Sequence, residues 1–577
     1  MTLSTKSMAP RHRDVTEAIE VALGDPRDPD NPAGFAALAA QDRDDEFPTA
    51  AVAILDRIRI AEYYVPVNDG GRLSDYIEPV QVIRTLARRS LTLAVAHAKT
   101  FLGAVTAWVG AKDDQRARLS DLVRSGVPIS WALTERAHGS DLLANDATVD
   151  DGLLTGTKWL INNASRCGAL VAIVRTSPSG GPRGFDLVLV DKKVTAPGGA
   201  EPRIRHLPKE LTHGIRGADI SGIEFESVPI DGADIISEPG HGLENVMKAL
   251  QLTRAMCCSL SLGAADRGLH TAISFAMHRE RFGHRLIELP QSRRILSEAL
   301  ADHLLNDATT TAVIRSIHTL PGELSLHAAA AKYLVPTRTE ALLAALRSFM
   351  GIDAILDSDD STAPSLSRIE RDHRIVSLFD GNTVVNLSTL IAQFPVLARK
   401  KLSADATATV ATAPEANLRR LSLISRSGST LLRSLSDAVE QLDKYRLSDE
   451  CRRTALALVA VTDDILREVA DAPRNPIEIP NTNFFLAERL AAAIAGAAAV
   501  HVFLAYVDIA SSPLWQDALW LKLALPRALA GADSNATVAR QACDHDCAVD
   551  ALQKLNAIDR GFSVLTGVND SDAGGRL

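Results

Sequence analysis

A single interruption of helical periodicity constrains this chain most. From about Val15 to Arg124, stretches such as "AAVAILDRIRIAEYYVP" and "VIRTLARRSLTLAVAHAKTFLGAVTAWVG" carry apolar residues three and four apart, the spacing of one helix face. Pro66 and "NDGG" (Asn68 to Gly71) break them. Near Pro128 the texture changes. From Ile129 to Ile236, short β-rich runs alternate with turn residues: "LLTGTKWLINNA", "ALVAIVRT", "FDLVLVDK" and "ISGIEFESVPI". Runs of that length and spacing predict a small antiparallel barrel or sandwich. Helical periodicity returns at "GLENVMKALQLTRAMCCSLSL" and continues to about Lys401. A mainly α chain with a central β domain is expected.

A chain of 577 residues is too long for one core. The expected domains are 1–128 (helical), 129–237 (β) and 238–402 (a helical bundle with the active site). A low-complexity linker at 403–417, "SADATATVATAPEAN", precedes a helical extension at 418–577. Aromatics make up only 4% of residues, which favours helices packed on helices. The net charge of -9, with no long basic run, argues against a nucleic-acid partner. Six cysteines make no disulfide framework at this length, so a reducing cytoplasm is the expected compartment. "MTLSTKSMAPRHRDVTEAIE" has no apolar core of a secretory signal. "LAAAIAGAAAVHVFLAYV" (Leu490 to Val507) is the one membrane candidate; it barely reaches spanning length and predicts a buried or membrane-peripheral helix, not a transmembrane segment.

"RDHRIVSLFDGNTVVNL" (Arg371 to Leu387) delivers Asp380 from an apolar run, Ile375 to Phe379, onto Gly381 and Asn382. Taken alone, Asp-Gly-Asn reads either as a turn or as a carboxylate desolvated by its approach. "CDHDC" (Cys543 to Cys547) lacks a second ligand cluster and predicts a solvated helix, with no metal site. Cys257 and Cys258 are adjacent on a helix, so their side chains diverge and buried packing is expected.

Four stretches, in order, resemble the acyl-CoA dehydrogenase and acyl-CoA oxidase superfamily of flavoproteins. "WALTERAHGSDLLAN" (Trp131 to Asn145) is similar to its Thr-Glu-Pro-x-Ala-Gly-Ser-Asp signature, and "LTGTKWLINNA" (Leu154 to Ala164) to its Gly-x-Lys-x-Trp-Ile-Thr-Asn strand. "RERFGHRLIELPQ" (Arg279 to Gln291) is similar to Arg-x-x-Phe-Gly followed by a Gln, and the Asp380 stretch to Arg-Asp-x-x-Ile-x-x-Ile-Tyr-Glu-Gly-Thr. The resemblance covers about Val15 to Lys400. The C-terminal unit resembles in position the extra helical domain of the longer members. The implied fold is an N-terminal helical domain, a small β-barrel and a four-helix bundle, and the implied cofactor is FAD. The implied reaction is α,β-dehydrogenation of an acyl thioester, with a carboxylate taking the α proton and a hydride passing to the flavin.

Residue by residue, the resemblance implies that Leu133, Thr134 and Ser140 line the flavin and its ribityl chain, with Ser140 also near substrate. Leu160 and Asn162 stand where the family has a flavin-shielding Trp and a Thr. Arg279, Phe282 and Gln291 would hold the FAD of a neighbouring subunit, which implies a homodimer. "RSFMGIDA" brings Arg347 and Gly351 to the same FAD end, although Met350 and Asp353 replace glycines of the family's loop. Arg254 falls beside the thioester, and Thr253 at the place where some members carry their base. Asp380 takes the position of the usual Glu base, with Gly381 towards substrate and Asn382 towards cofactor.

Asp380 and Leu160 depart from the dehydrogenase pattern. They leave open a flavin oxidase of the acyl-CoA oxidase or nitroalkane oxidase kind, and a non-catalytic subunit. The expected substrate is an acyl-CoA or acyl-carrier-protein thioester, and the electron acceptor an electron-transferring flavoprotein or oxygen. The basic segment "PRIRHLPKELTHGIRG" (Pro202 to Gly217) reads as a contact for CoA phosphates or an acidic carrier, or as a solvated loop.

Overall fold

Ser90 ends one helix of the N-terminal region and caps the next, its side chain accepting from Leu93 N. In the computed structural model those helices are α1 (Ile77–Arg89) and α2 (Leu91–Gly110). The structure describes residues 11–193, 203–356, 364–399, 406–473, 478–533, 535–536, 542–557, 561–566 and 568. Pro202, residues 403–405 of the expected linker and the Cys543 side chain lie outside that set. The chain divides into two compact units, 19–253 and 1–18 with 254–577.

In the first unit the β interruption forms a seven-stranded sheet. Its strands are β1 (Ile129–Ala132), β2 (Thr148–Asp150), β3 (Leu153–Asn162), β4 (Ala169–Arg175), β5 (Phe185–Asp191), β6 (Ile204–His206) and β7 (Ile220–Pro229). The order is β1-β4-β2-β3-β7-β6, with β5 also on β4. β4 and β5 are buried on both faces, which is why they read as unbroken apolar runs, whereas β3 alternates. β1 pairs with β4 in parallel, from Ile129 opposite Ala169 to Ala132 opposite Ala172. A purely antiparallel sheet is therefore corrected to a mixed one. The two strands are joined by a long excursion through β2 and β3, not by a hairpin, and such a connection permits parallel pairing. Gly103 lets α2 lie against β1, since a Cβ there would meet Ile129 Cγ2 at 2.7 Å.

α3 (Gly242–His278) carries the chain into the second unit. There the expected unbroken helical stretch is interrupted by a hairpin, β8 (Glu280–Arg281) and β9 (His284–Arg285). Its two turn residues, Phe282 (φ 55°) and Gly283 (φ 78°), are both left-handed, as a type I′ turn requires. α4 (Pro290–Thr319), α5 (Leu324–Met350), α6 (Leu366–His373) and α7 (Thr383–Ala392) follow. The C-terminal extension adds α8 (Asp449–Asp471), α9 (Asn481–Tyr506), α10 (Leu519–Ala532) and α11 (Ala542–Asn556).

The extension docks through buried polar ties as well as apolar packing. Asp302 on α4 accepts from Arg338 Nη1 at 3.1 Å and from Arg527 Nε of α10 at 2.6 Å. Asp307 accepts from Ser563 Oγ at 2.8 Å and Val564 N at 2.7 Å. Within the stretch read as a linker, Ala406–Ala411 is a short helix with Val410 buried, and Tyr506 Oη donates to Val410 O at 3.2 Å. α9 is long and apolar enough to cross a membrane, but 83% of its apolar window is buried inside the protein. α2 passes the same test, with 89% buried, so two such helices stand among the described residues and not the single one read from the sequence.

Candidate functional site

The apolar run before Asp380 continues α6 as helical turns, with Leu378 N and Phe379 N both donating to Ile375 O. The chain then reverses. Asp380 takes φ 54° and Gly381 φ 94°, a left-handed pair. Asp tolerates that region better than most side chains, and Gly enters it at no steric cost.

Four side chains from three helices fix this loop. Arg254 Nε on α3 donates to Asp380 O at 3.2 Å. One turn further along, the Cys257 thiol donates to Asp380 Oδ2 at 3.2 Å. From α5, Lys332 Nζ donates to Val376 O at 2.6 Å and Gly381 O at 3.4 Å, and stands 5.3 Å from the centre of the Phe379 ring. Asn386 Nδ2 on α7 donates to Gly381 O at 2.7 Å. A Cβ at Gly381 would lie 3.1 Å from Arg254 Nη2, so a side chain there would require Arg254 to shift.

Burial shapes the charges. Lys332 is 1% exposed, and desolvation holds its ammonium below the usual lysine range while Cys257, Asp380 and Cys258 pull the other way. Arg254 is depressed by the same burial, opposed by Asp380 and Cys257. Burial pushes Cys258 up to about 12, and its thiol faces its own helix, donating to Arg254 O at 3.6 Å. His373, beneath the loop, is pushed down to about 3 by burial and then by the Lys332 charge. Its Nε2 lies 2.8 Å from Ser261 Oγ.

Several expected site residues have partners inside the protein. Arg254, expected beside a thioester, is 4% exposed and clamps the acid loop from below. Thr253 is fully buried, its hydroxyl turned back to Leu250 O at 3.4 Å. Asn382 Oδ1 caps α7, accepting from Val385 N at 3.0 Å. Cys257, expected to be packing alone, reaches Asp380.

At the hairpin end of the second unit, Phe282 is 95% exposed and Gln291 accepts from Arg294 Nε at 3.2 Å. Arg279 pairs with Asp353 at 3.8 Å, and its Nε is buried without a hydrogen-bond partner among the described residues. Phe275 meets Phe349 edge-on, so the hairpin base and the loop at Gly351 (φ 66°) are neighbours. Arg347 is ion-paired with Glu370 and so is tied to α6.

In the first unit, the two β-domain motifs are stitched to each other. Thr134 Oγ1 donates to Trp159 O at 2.8 Å, and Trp159 N returns a bond to Thr134 O at 3.0 Å. Lys158, wholly buried, pairs with Glu135 at 2.8 Å. Burial alone would raise the Glu135 carboxyl. The Asp146 N–H, Lys158 and the Ala147 N–H outweigh it and hold the group below the usual range. Leu133 O accepts from Asn145 Nδ2 at 2.7 Å, and Ser140 is exposed. Leu160 sits in a β-bulge at φ 63°, 48% exposed. Asn162 is 8% exposed, yet neither its amide oxygen nor its nitrogen has a partner among the described residues.

The basic segment is tied down within its own unit, two of its cations by carboxylates. Arg205 pairs with Glu224, Arg216 Nε with Asp45 at 3.1 Å, and Lys209 donates to Asp45 O and Arg216 O. Among the described residues Glu135, His138 and Asp146 bring ligand atoms within 4.8 Å of one another, but Lys158 already occupies Glu135.

The sequence reading missed Lys332. Its signal was a lone charge in the apolar helix "LSLHAAAAKYLV". Lys158 and Glu135 lay inside recognised motifs, but nothing local marked them as partners.

Residues 130–228 match the acyl-CoA dehydrogenase middle domain, and residues 240–394 the acyl-CoA dehydrogenase C-terminal domain. The probable acyl-CoA dehydrogenase fadE25 of Mycobacterium leprae is 28% identical over 245 residues, which cover 42% of this chain and 61% of that protein. This chain thus spans less than two thirds of that curated relative. A solved acyl-CoA dehydrogenase complexed with FAD from Bacillus anthracis superposes over 97% of both chains, with a TM-score of 0.73 at 14% identity. Butyryl-CoA dehydrogenase of Megasphaera elsdenii covers 68% of this chain and 98% of its own, with a TM-score of 0.59 at 18% identity. The second solved structure thus shares the body of the fold, and the first shares the C-terminal helices as well. Residues 130–228 and 240–394 thus carry acyl-CoA dehydrogenase domains, and the chain as a whole has the acyl-CoA dehydrogenase fold with additional C-terminal helices.

Proposed function

We propose that this protein is an FAD-dependent oxidoreductase that desaturates an acyl thioester between Cα and Cβ, with Asp380 as the base. The observation that carries this is the acid loop: a carboxylate on a strained turn, anchored from α3, α5 and α7, at the family's base position. Asp380 takes the α proton onto a carboxylate oxygen. The pair of electrons left on Cα becomes the Cα=Cβ bond as a β hydrogen departs with its own pair. Bound FAD supplies the acceptor for that hydride. Arg254, Lys332 and Asn386 keep the loop from relaxing, so the carboxylate meets the α carbon in a prepared geometry.

The residues present fit a flavin nucleotide. Among the described residues, Asn162 on the β domain has buried amide atoms without partners, and Arg279, near the exposed Phe282 in sequence, has a buried Nε without one. We assign Leu133, Thr134, Ser140, Leu160 and Asn162 to the flavin ring and ribityl chain. Arg279, Phe282, Gln291 and the Gly351 loop go to the nucleotide end. The electrons leave to an electron-transferring flavoprotein or to oxygen, and the thioester is carried by CoA or an acyl carrier protein. Phe282, Ile352, Ile355 and Leu356 are exposed to between 53% and 95%, an apolar set that a second copy would cover, so we propose a homodimer, checked by native mass.

A second reading, a flavin oxidase, draws on Leu160. It is smaller than the family's Trp and stands exposed, leaving room for oxygen beside the ring.

The test is Asp380→Asn. Asn accepts left-handed backbone at least as readily as Asp, so the loop should persist and FAD should stay bound. Anaerobic bleaching of the flavin by a panel of acyl-CoA and acyl-carrier thioesters should slow by about 10²–10⁴-fold. An Asn variant that bleaches at the wild-type rate refutes the assignment. Peroxide measured alongside separates oxidase from dehydrogenase.

A further inference from the structure

We infer that Cys257 is the positioning residue for Asp380, and that this thiol completes a site built around a short acid. The inference rests on the reading of Asp380 as base.

The backbone of the loop is held by Arg254 at Asp380 O and by Lys332 and Asn386 at Gly381 O. None of these bonds restrains the carboxylate itself. Its one hydrogen bond among the described residues is the thiol of Cys257, 3.2 Å from Oδ2, which leaves Oδ1 as the oxygen without a partner. Cys257 and Arg254 are three apart on α3 and so share a face. One helix therefore holds both the backbone and the side chain of Asp380.

The residue type suits the task. An Asp reaches about 1.5 Å less far than a Glu, so a carboxylate free to rotate would spend much of its time turned from the α carbon. A donor on Oδ2 selects one orientation and aims Oδ1. A thiol is a weak donor, so it orients the acid while drawing little electron density from the oxygen that must take a proton. A cationic donor at the same point would stabilise the carboxylate and weaken it as a base. Arg254 and Lys332 are the cations at hand, and both donate to backbone carbonyls of the loop instead.

The experiment compares Cys257→Val, which keeps an apolar volume and loses the donor, with Cys257→Ser, which keeps a donor in a smaller volume. Both are made in the full chain and assayed as holoenzyme with whichever acyl thioester of the panel bleaches the wild-type flavin fastest. The Val variant should lose about tenfold to a hundredfold in kcat at unchanged KM and FAD content. Its rate should also slow further with substrate deuterated at Cα, because proton removal becomes fully rate-limiting. The Ser variant should recover most of the rate. Exchange of the α hydrogen with deuterium oxide, followed by mass spectrometry, should report the same order without reference to the flavin.

A Val variant with wild-type kcat and isotope effect overturns the inference, as does a Ser variant as slow as Val, since packing rather than a donor would then be at stake. Asp380→Asn run in parallel separates the two levels. If it is inactive while Val is unaffected, Cys257 does not position the acid and the base reading stands. If it is active, the base reading itself has failed.

Discussion

Gly381→Ala moves the acid without touching it. At φ 94°, an L-residue costs about 1–2 kcal/mol over glycine. The new Cβ would lie 3.1 Å from Arg254 Nη2 and 3.4 Å from Arg254 Nε and Val385 Cγ1. Arg254 is buried, and it can retreat only by loosening its bond to Asp380 O, a charged hydrogen bond contributing about 1.5–3 kcal/mol. Together these amount to about 2.5–5 kcal/mol of local strain, enough to lower Tm by several degrees in a unit of this size. The loop has a cheaper response, which is to swing away from α3 and carry Asp380 with it. A displacement of about 1 Å costs on the order of a hundredfold in rate. Stopped-flow flavin reduction and differential scanning calorimetry on the same preparation should show a large fall in kcat with a modest fall in Tm. A variant with the wild-type rate and melting temperature would refute the claim that Gly381 is demanded by the Arg254 clamp.

Asp302→Asn removes the charge shared by Arg338 and Arg527, which holds α10 to the bundle. Stranding two largely buried guanidinium groups should cost about 3–5 kcal/mol, read as a lower Tm, and unchanged melting would show the pair is dispensable. His373 sets a pH dependence. Its folded-state value of about 3 lies below the ordinary 6.5, so the unfolded chain binds the proton first. Stability is therefore complete above about pH 6.5 and falls as pH drops from there towards 3, by about 1.4 kcal/mol per pH unit at most. His373→Gln should flatten that acid limb in urea titrations between pH 4 and pH 7, and an unaltered slope would assign the sensitivity elsewhere.

Much of this protein is legible in local pattern. Apolar spacings located the helices, and the apolar run of β4 marks a strand buried on both faces. "FDGN" marked the acid loop, because Asp and Gly accept the left-handed backbone that such a turn needs. These features depend on a residue and its immediate neighbours, so one chain suffices to read them.

What holds the acid was decided only in three dimensions. Arg254 and Cys257 reach Asp380 across 126 and 123 residues of chain, and Lys332 reaches Val376 across 44. No periodicity encodes those distances. Cys257 and Cys258 are indistinguishable in the sequence, and only the rotation of α3 against the loop sends one thiol to the carboxylate and the other to its own helix. The parallel pairing of β1 with β4 and the Glu135–Lys158 bond have the same origin. A strand or a charge carries no local record of its partner, because the partner is chosen by which surfaces the whole chain can bury together.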